Sequence, residues 1–420
     1  MTKPRLTTLP SGLRVVSDHV PSMHSVALGI WSGVGTRYED MANNGAAHMV
    51  EHMMFKGTKT RDALDIAQSI ENVGGHMNAY TSREVTSYHA HMLENDMGLG
   101  LEVLGDMYKN STLPDDEIER ERQVILQEIG MCHDTPDDLV FDNYYETAYP
   151  GQTLGAPILG SSNHVTNMSR QALTDFIKNF YTPSRTVISA AGNVDHDALV
   201  EKASTVFADL PKDIDFEPKP AAYNGNENRV QKDLEQAHFI LGFQSFSRLD
   251  DDHYTAQALS TLLGGGMSSR LFQEVREKRG LVYSIFSFNS AYQDDGQFGI
   301  YAGTGPDSLA EIIPVISDEI LKVTQDVTEE EVIRAKAQLK SSLLIGRESM
   351  MTRADQYAKY ALFRNAEFDI EKTLAQIEAI DENAIHNVAK RIFSTKPNLA
   401  ALGPLDKLPS FNAIQERLAA

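Results

Sequence analysis

The sequence predicts an α/β protein of mixed layers in two domains, and three observations carry that reading. The chain has 420 residues, more than one ordinary hydrophobic core organises, so two domains of roughly 200 residues each are expected. Strand-like stretches such as residues 185–192 and 297–303 alternate with helical patterns instead of gathering at one end. The two halves also repeat one coarse order: an early strand (24–31 and 237–243), a helix, then glycine-punctuated strands and further helices.

The elements follow along the chain. The first residues lack the apolar core of a secretory signal and run into a strand at 13–16, which reads as a mature start. After the strand at 24–31, residues 45–55 read Gly-Ala-Ala-His-Met-Val-Glu-His-Met-Met-Phe, a helix whose Ala47, Val50, Met53 and Met54 pack into a core. Residues 78–82 and 85–92 form two strands, the first able to act as a sheet edge. Pro114 and the acidic run Asp115, Asp116, Glu117 start a helix with Ile118, Ile125 and Ile129 on one stripe. Residues 210–229, rich in Pro, Asn, Gly and charge, show no lasting period and read as a connector. The expected domains are therefore 1–210 and 230–420, with a linker at 211–229. In the second half Gly264, Gly265 and Gly266 lack the Gly-Lys-Ser/Thr ending of a phosphate loop, and a helix over 268–279 closes at Gly280.

The chemistry concentrates in one helix. His48 and His52 are four residues apart and share a face, so both imidazoles can reach one metal ion while Glu51 projects beside them. The order His-x-x-Glu-His is the inverse of the common His-Glu-x-x-His of zinc hydrolases, and in both the helix supplies two nitrogen ligands and a carboxylate base. Unpaired imidazoles and a carboxylate on a packed helix would be costly, and a metal removes that cost. Hydrolytic zinc takes three protein ligands. On the helix after Pro114, Glu121 and Glu128 lie two turns apart on one side, and either can supply the third. No Ser-His-Asp or Cys-His arrangement is required, and Cys132, the single cysteine, reads as a packing residue.

The His-x-x-Glu-His helix, the Phe55-Lys-Gly-Thr58 after it, the Gly74-Gly75-His-Met-Asn78-Ala79-Tyr80-Thr81 segment and the Glu121-to-Glu128 helix together resemble the pitrilysin family of metallopeptidases. Within that family the likeness is to processing-peptidase β subunits and their bacterial relatives, over nearly the whole chain. The resemblance implies two homologous repeats, each a mixed sheet with helices packed on one face, with metal ligands only in the first. It implies one zinc ion (Zn2+) per chain held by His48, His52 and Glu128, Glu51 as general base, and Glu121 acting behind the ligands. It further implies that Arg276 binds substrate backbone, that Tyr283 assists the oxyanion, and that Asp138 and Asp142 contact basic substrate residues. Short members of the family act as dimers, so a homodimer is expected, with a heterodimer containing a related subunit as the alternative. Other members are non-catalytic scaffold or partner subunits, the alternative function here.

Residues Asn78, Ala79, Tyr80 and Thr81 are the expected edge for an extended peptide substrate, paired through main-chain hydrogen bonds. The 59 acidic against 38 basic residues, a formal charge of −21, serve mainly solubility and make nucleic acid an unexpected partner; it is the resemblance at Asp138 and Asp142 that implies a preference for short, extended, arginine-containing peptides. One cysteine excludes a disulfide framework and fits a reducing compartment. No apolar run approaches membrane-spanning length. A cytoplasmic protein is the resulting expectation. His89 and His91 alternate along a strand and share a face; together with His76 they are assigned no role.

Overall fold

The computed structural model describes residues 3–419. Strands β1 (Arg5–Thr8), β2 (Arg14–His19), β3 (Ser25–Ser32), β4 (His76–Thr81), β5 (Thr86–Leu93) and β6 (Thr186–Gly192) form one sheet, ordered β1-β2-β6-β3-β5-β4. Strands β7 (Glu227–Gln231), β8 (Ala237–Ser245), β9 (Val282–Ala291), β10 (Gly296–Thr304) and β11 (Asn398–Gly403) form the other, ordered β7-β11-β8-β10-β9. Apart from β1 the two orders correspond strand for strand. A parallel pair, β2 with β6 or β7 with β11, is followed by antiparallel neighbours ending on β4 or β9. The repeat read from the sequence is thus a repeat of topology, and both sheets are mixed as expected.

Each sheet buries one face against a group of helices. In β3, Val26, Leu28 and Ile30 enter a core with Val50 and Met53 of the helix Ala46–Met53, Leu101 and Leu104 of Met97–Asn110, and Leu199 of His196–Val206. In the second sheet Phe239, Leu241 and Phe243 of β8 do the same with Leu259 and Leu263 of His253–Gly264 and Ile385 and Val388 of Glu382–Phe393.

The structure adds a helix on the opposite face of each sheet. Every residue of β6 and nearly every residue of β2 and β3 is buried, so the alternate side chains also need cover. That cover is the helix Met350–Arg364. Trp31 Nε1 donates to Asp355 Oδ1 at 3.0 Å, Ser189 Oγ donates to Ala354 O at 2.7 Å, and Arg353 donates to Asp18 Oδ2 at 2.9 Å. On the second sheet the helix Pro136–Ala148 plays this part, with Val140 and Tyr144 packed on Ile240, Tyr301, Ala400 and Leu402. Tyr144 comes so close that a Cβ on Gly242 would meet its Oη at 2.1 Å.

These two helices change the division of the chain. The first compact unit comprises the chain up to Gly130 with Ala156–Lys219 and Leu344–Asp369, and the second comprises Met131–Gly155, Pro220–Leu343 and the chain from Ile370. The contiguous domains expected around 211–229 are therefore corrected: each unit takes from the other half of the sequence the helix that covers the second face of its sheet. Residues 211–226 do lack regular secondary structure. The part up to Lys219 belongs to the first unit, where Arg185 donates to Phe216 O at 2.6 Å and Phe216 packs on Phe180, and the part from Pro220 belongs to the second.

Candidate metal centre

The helix Ala46–Met53 begins at Gly45, whose φ of 97° is left-handed and suits glycine. Its first amides are satisfied from a distance. The buried carboxylate of Glu39 accepts from Gly45 N at 3.0 Å, Ala47 N at 2.8 Å and Asn44 Nδ2 at 2.9 Å. Ala46, Ala47, Met49, Val50 and Met53 are buried, so the remaining positions, His48, Glu51 and His52, come together on the half-buried side.

The helix Asp115–Asp134 brings the carboxylates. It buries Ile118, Ile125 and Ile129, and Arg122 anchors it by donating to Met168 O at 3.0 Å. Glu128 Oε2 stands 3.7 Å from His48 Nε2 and 3.8 Å from His52 Nε2. Both separations exceed a hydrogen bond. Donors bound tetrahedrally at zinc distances would lie about 3.4 Å apart, so the three atoms converge as ligands of a common ion would. They are the one group of three or more metal-type donors found together among the described residues. Glu121 faces the other side of the same imidazole, with Oε2 at 2.8 Å from His52 Nδ1. An ionised carboxylate only accepts, so the proton sits on Nδ1 and Nε2 keeps its lone pair for a metal.

The electrostatics agree with these positions. Burial, and secondarily His52, lowers His48 to about 4, which keeps it in the neutral form that ligates. Burial raises Glu121, but Lys56 and His52 outweigh it and hold the carboxyl below its usual value. Burial also raises Glu51, opposed by Thr81 and His52 and reinforced by Glu128. Thr81 is thus near Glu51, although neither Glu51 Oε2 nor Thr81 Oγ1 completes a hydrogen bond of normal geometry. A buried carboxylate oxygen left uncommitted beside three converging donors fits a group that exchanges a proton. The donor set, two imidazoles and one carboxylate, is that of a catalytic zinc.

The other expected residues divide between the units. β4 is an edge strand as anticipated, but its side chains alternate. Ala79 packs toward the core, Asn78 is exposed and accepts from the Ala79 amide at 2.8 Å, and Tyr80 points to the far face, donating to Asp355 Oδ1 at 2.5 Å. Of these four, Thr81 is the one placed beside Glu51. Arg276, Tyr283, Asp138 and Asp142 belong to the second unit. Arg276 lies in a π-wound segment, Phe272–Glu277, with its guanidinium 4.8 Å from the Phe272 ring and 5.3 Å from the Tyr283 ring. Tyr283 is 77% exposed on β9. Asp142 accepts from the Cys132 thiol at 3.6 Å, and burial with this carboxylate pushes the thiol up to about 11, an unreactive state. Two residues escaped the sequence reading: Glu39, and Lys56, whose ammonium is 2.6 Å from Glu121 Oε1. Lys56 was detectable as the residue one turn past His52; Glu39 sits in an irregular segment with no period to mark it.

Comparison with known proteins points the same way. Residues 14–162 match the family described as Insulinase (Peptidase family M16), and residues 167–339 match that described as Peptidase M16 inactive domain. An uncharacterized zinc protease of Rickettsia felis is 41% identical over 96% of this chain and 98% of its own length. Uncharacterized zinc proteases of Streptomyces coelicolor and Bacillus subtilis are 38% and 36% identical, each over 96% of this chain and over 90% and 99% of their own lengths. Among solved structures, a protease from Helicobacter pylori superposes with a TM-score of 0.88 at 26% identity, covering 96% of this chain and 99% of that one. A chain of complex III2 from Candida albicans reaches 0.87 at 21% identity, covering 99% of both, which is a likeness of fold alone.

Proposed function

The chain belongs to the pitrilysin, or M16, family of zinc peptidases, and on that footing we propose that it is an endopeptidase acting on short or unfolded, extended peptides. The observation that carries the proposal is the convergence of His48 Nε2, His52 Nε2 and Glu128 Oε2, unbonded to one another, with the buried Oε2 of the nearby Glu51 left without a hydrogen-bond partner.

These three donors would hold zinc. When bound, zinc supplies a Lewis acid for the scissile carbonyl and for a water molecule at neutral pH. Glu51 would serve as the base, taking a proton from the attacking water and returning it to the leaving amine. Glu121 keeps the Nδ1 proton of His52 in place, so His52 presents Nε2 without a change of tautomer. The open edge of β4 offers main-chain donors and acceptors to an extended peptide, with Thr81 beside Glu51 and Tyr80 bracing the strand from its other face. From the second unit, Arg276 contacts substrate backbone, Tyr283 donates to the oxyanion, and Asp138 and Asp142 favour arginine-containing peptides; these four roles rest on the family resemblance. The same resemblance supports a homodimer, and the single cysteine supports a cytoplasmic setting. Among the described residues no helix is long and apolar enough to cross a membrane.

Zinc analysis combined with cleavage of a mixed peptide library tests the proposal on the parent and Glu51→Gln. One zinc per chain in both, with turnover lost only in the variant, is the expected result. Zinc-loaded parent without turnover would replace it with the partner-subunit reading, and absence of zinc with the scaffold reading.

A further inference from the structure

We propose that Lys56 is a positioning residue of the metal centre, acting through Glu121 to hold His52 in its ligating orientation. The inference rests on the zinc-site reading above. Lys56 lies just past the end of the helix Ala46–Met53, with its amide donating to Met53 O at 3.1 Å. Its ammonium is 2.6 Å from Glu121 Oε1, and Glu121 Oε2 is 2.8 Å from His52 Nδ1. Ammonium, carboxylate and imidazole therefore form an unbroken chain ending on the ring nitrogen opposite Nε2. The chain also ties together the two helices that supply all three converging donors.

Burial separates this ion pair from ordinary surface pairs. On the same helix, Arg120 and Asp116 make a contact in which the side chains are 63% and 69% exposed, and such pairs contribute little. The Lys56 and Glu121 side chains are 28% and 8% exposed, so the carboxylate depends on its two partners for the solvation it has lost. Removing the ammonium leaves Glu121 Oε1 without a partner in a poorly hydrated place. The carboxylate is then free to turn about its side-chain torsions, and its hold on the imidazole slackens. A ligand that must be oriented before it binds gives a weaker site, and losing a partner behind a metal ligand typically weakens binding by 10–100-fold.

The test is the zinc dissociation constant of the full chain, measured by chelator competition, in the parent, Lys56→Met, Glu121→Gln and the double variant. Lys56→Met, which keeps the apolar stem, is expected to weaken zinc about tenfold. In the Glu121→Gln background the same change is expected to alter affinity by less than about twofold, because the route through Glu121 is already cut. Lys56→Arg, which restores a cation, is expected to recover most of the loss. An unchanged constant in Lys56→Met, or an equal loss in both backgrounds, overturns the proposal; equal losses would mark Lys56 as a general packing residue. His52→Ala separates the two levels. If the parent binds zinc and His52→Ala does not, the zinc-site reading stands whatever Lys56 does; if both bind alike or neither binds, that reading falls and this one with it.

Discussion

Glu39 offers a test of how the metal helix is held. Its carboxylate is buried and meets three N–H donors at 2.8–3.0 Å, two of them the backbone amides of Gly45 and Ala47 at the start of the helix Ala46–Met53. The donors favour the ionised form and burial opposes it. Burial prevails, lifting the carboxyl to about 7. Between its ordinary value near 4.5 and about 7, the folded state therefore binds a proton that the unfolded state has released. Stability from this group is fully present below the unfolded value and is lost as pH rises through the folded one. At 1.36 kcal/mol per pH unit the loss is about 3 kcal/mol. Glu39→Gln cannot titrate, so the stability difference between parent and variant should shrink by that amount from pH 4.5 to 7 and then level off. Trp31 is the single tryptophan and is fully buried in the first unit, so its fluorescence during denaturant unfolding reports on the relevant unit. Metal-free protein in chelator removes linkage to zinc. Parallel pH profiles for the two proteins would refute the reasoning and show that the three donors keep Glu39 charged throughout.

Three further outcomes are expected. Glu128→Gln should keep its helix but lower zinc affinity by more than about 100-fold, read by chelator competition, since the anionic ligand is lost outright. Gly242→Ala places a Cβ 2.1 Å from Tyr144 Oη; it should destabilise the second unit by about 2–3 kcal/mol, seen as faster amide exchange in β8 and in Pro136–Ala148 with β2 and β6 unaffected. Asp138→Asn combined with Asp142→Asn should raise KM for arginine-containing peptides several-fold while acidic peptides are cleaved as before; equal effects on both peptide sets would remove these aspartates from substrate selection.

Much of the fold was legible because the relevant signals are local. Strand periods marked β3, β6, β8 and β10 to within a residue or two and located β2 while ending it three residues early, and Pro114 with its acidic first turn marked the start of the helix Asp115–Asp134. The exchange of helices between the two halves was not legible. The apolar residues of Pro136–Ala148 and Met350–Arg364 show that each helix has a buried side, but not which sheet receives it. The choice between Glu121 and Glu128 was open for a similar reason. Two turns separate them on one face, and only the relative placement of two helices sends Glu128 toward Nε2 and Glu121 toward Nδ1 of His52. Tyr80 is a different case: alternation along β4 already puts it on the face opposite Thr81, so its bond to Asp355 followed a signal that the sequence contained.

The two repeats act as a control on the site. Between β3 and β4 the first unit places His48, Glu51 and His52; between β8 and β9 the second places His253–Gly264, with Leu259, Leu262 and Leu263 buried. The same strand order therefore forms with or without the metal-type side chains, and the Candida albicans complex III2 chain shares the fold at 21% identity. Fold alone does not carry the chemistry. Half-buried imidazoles and carboxylates cost more than the apolar side chains that fill the corresponding place in the second unit, unless something binds them. Glu121 is offset by His52 and Lys56, whereas Glu128 Oε2 and the two Nε2 atoms remain unbonded to one another and Glu51 Oε2 has no partner. A metal ion held by these donors would account for that remainder, which the topology does not.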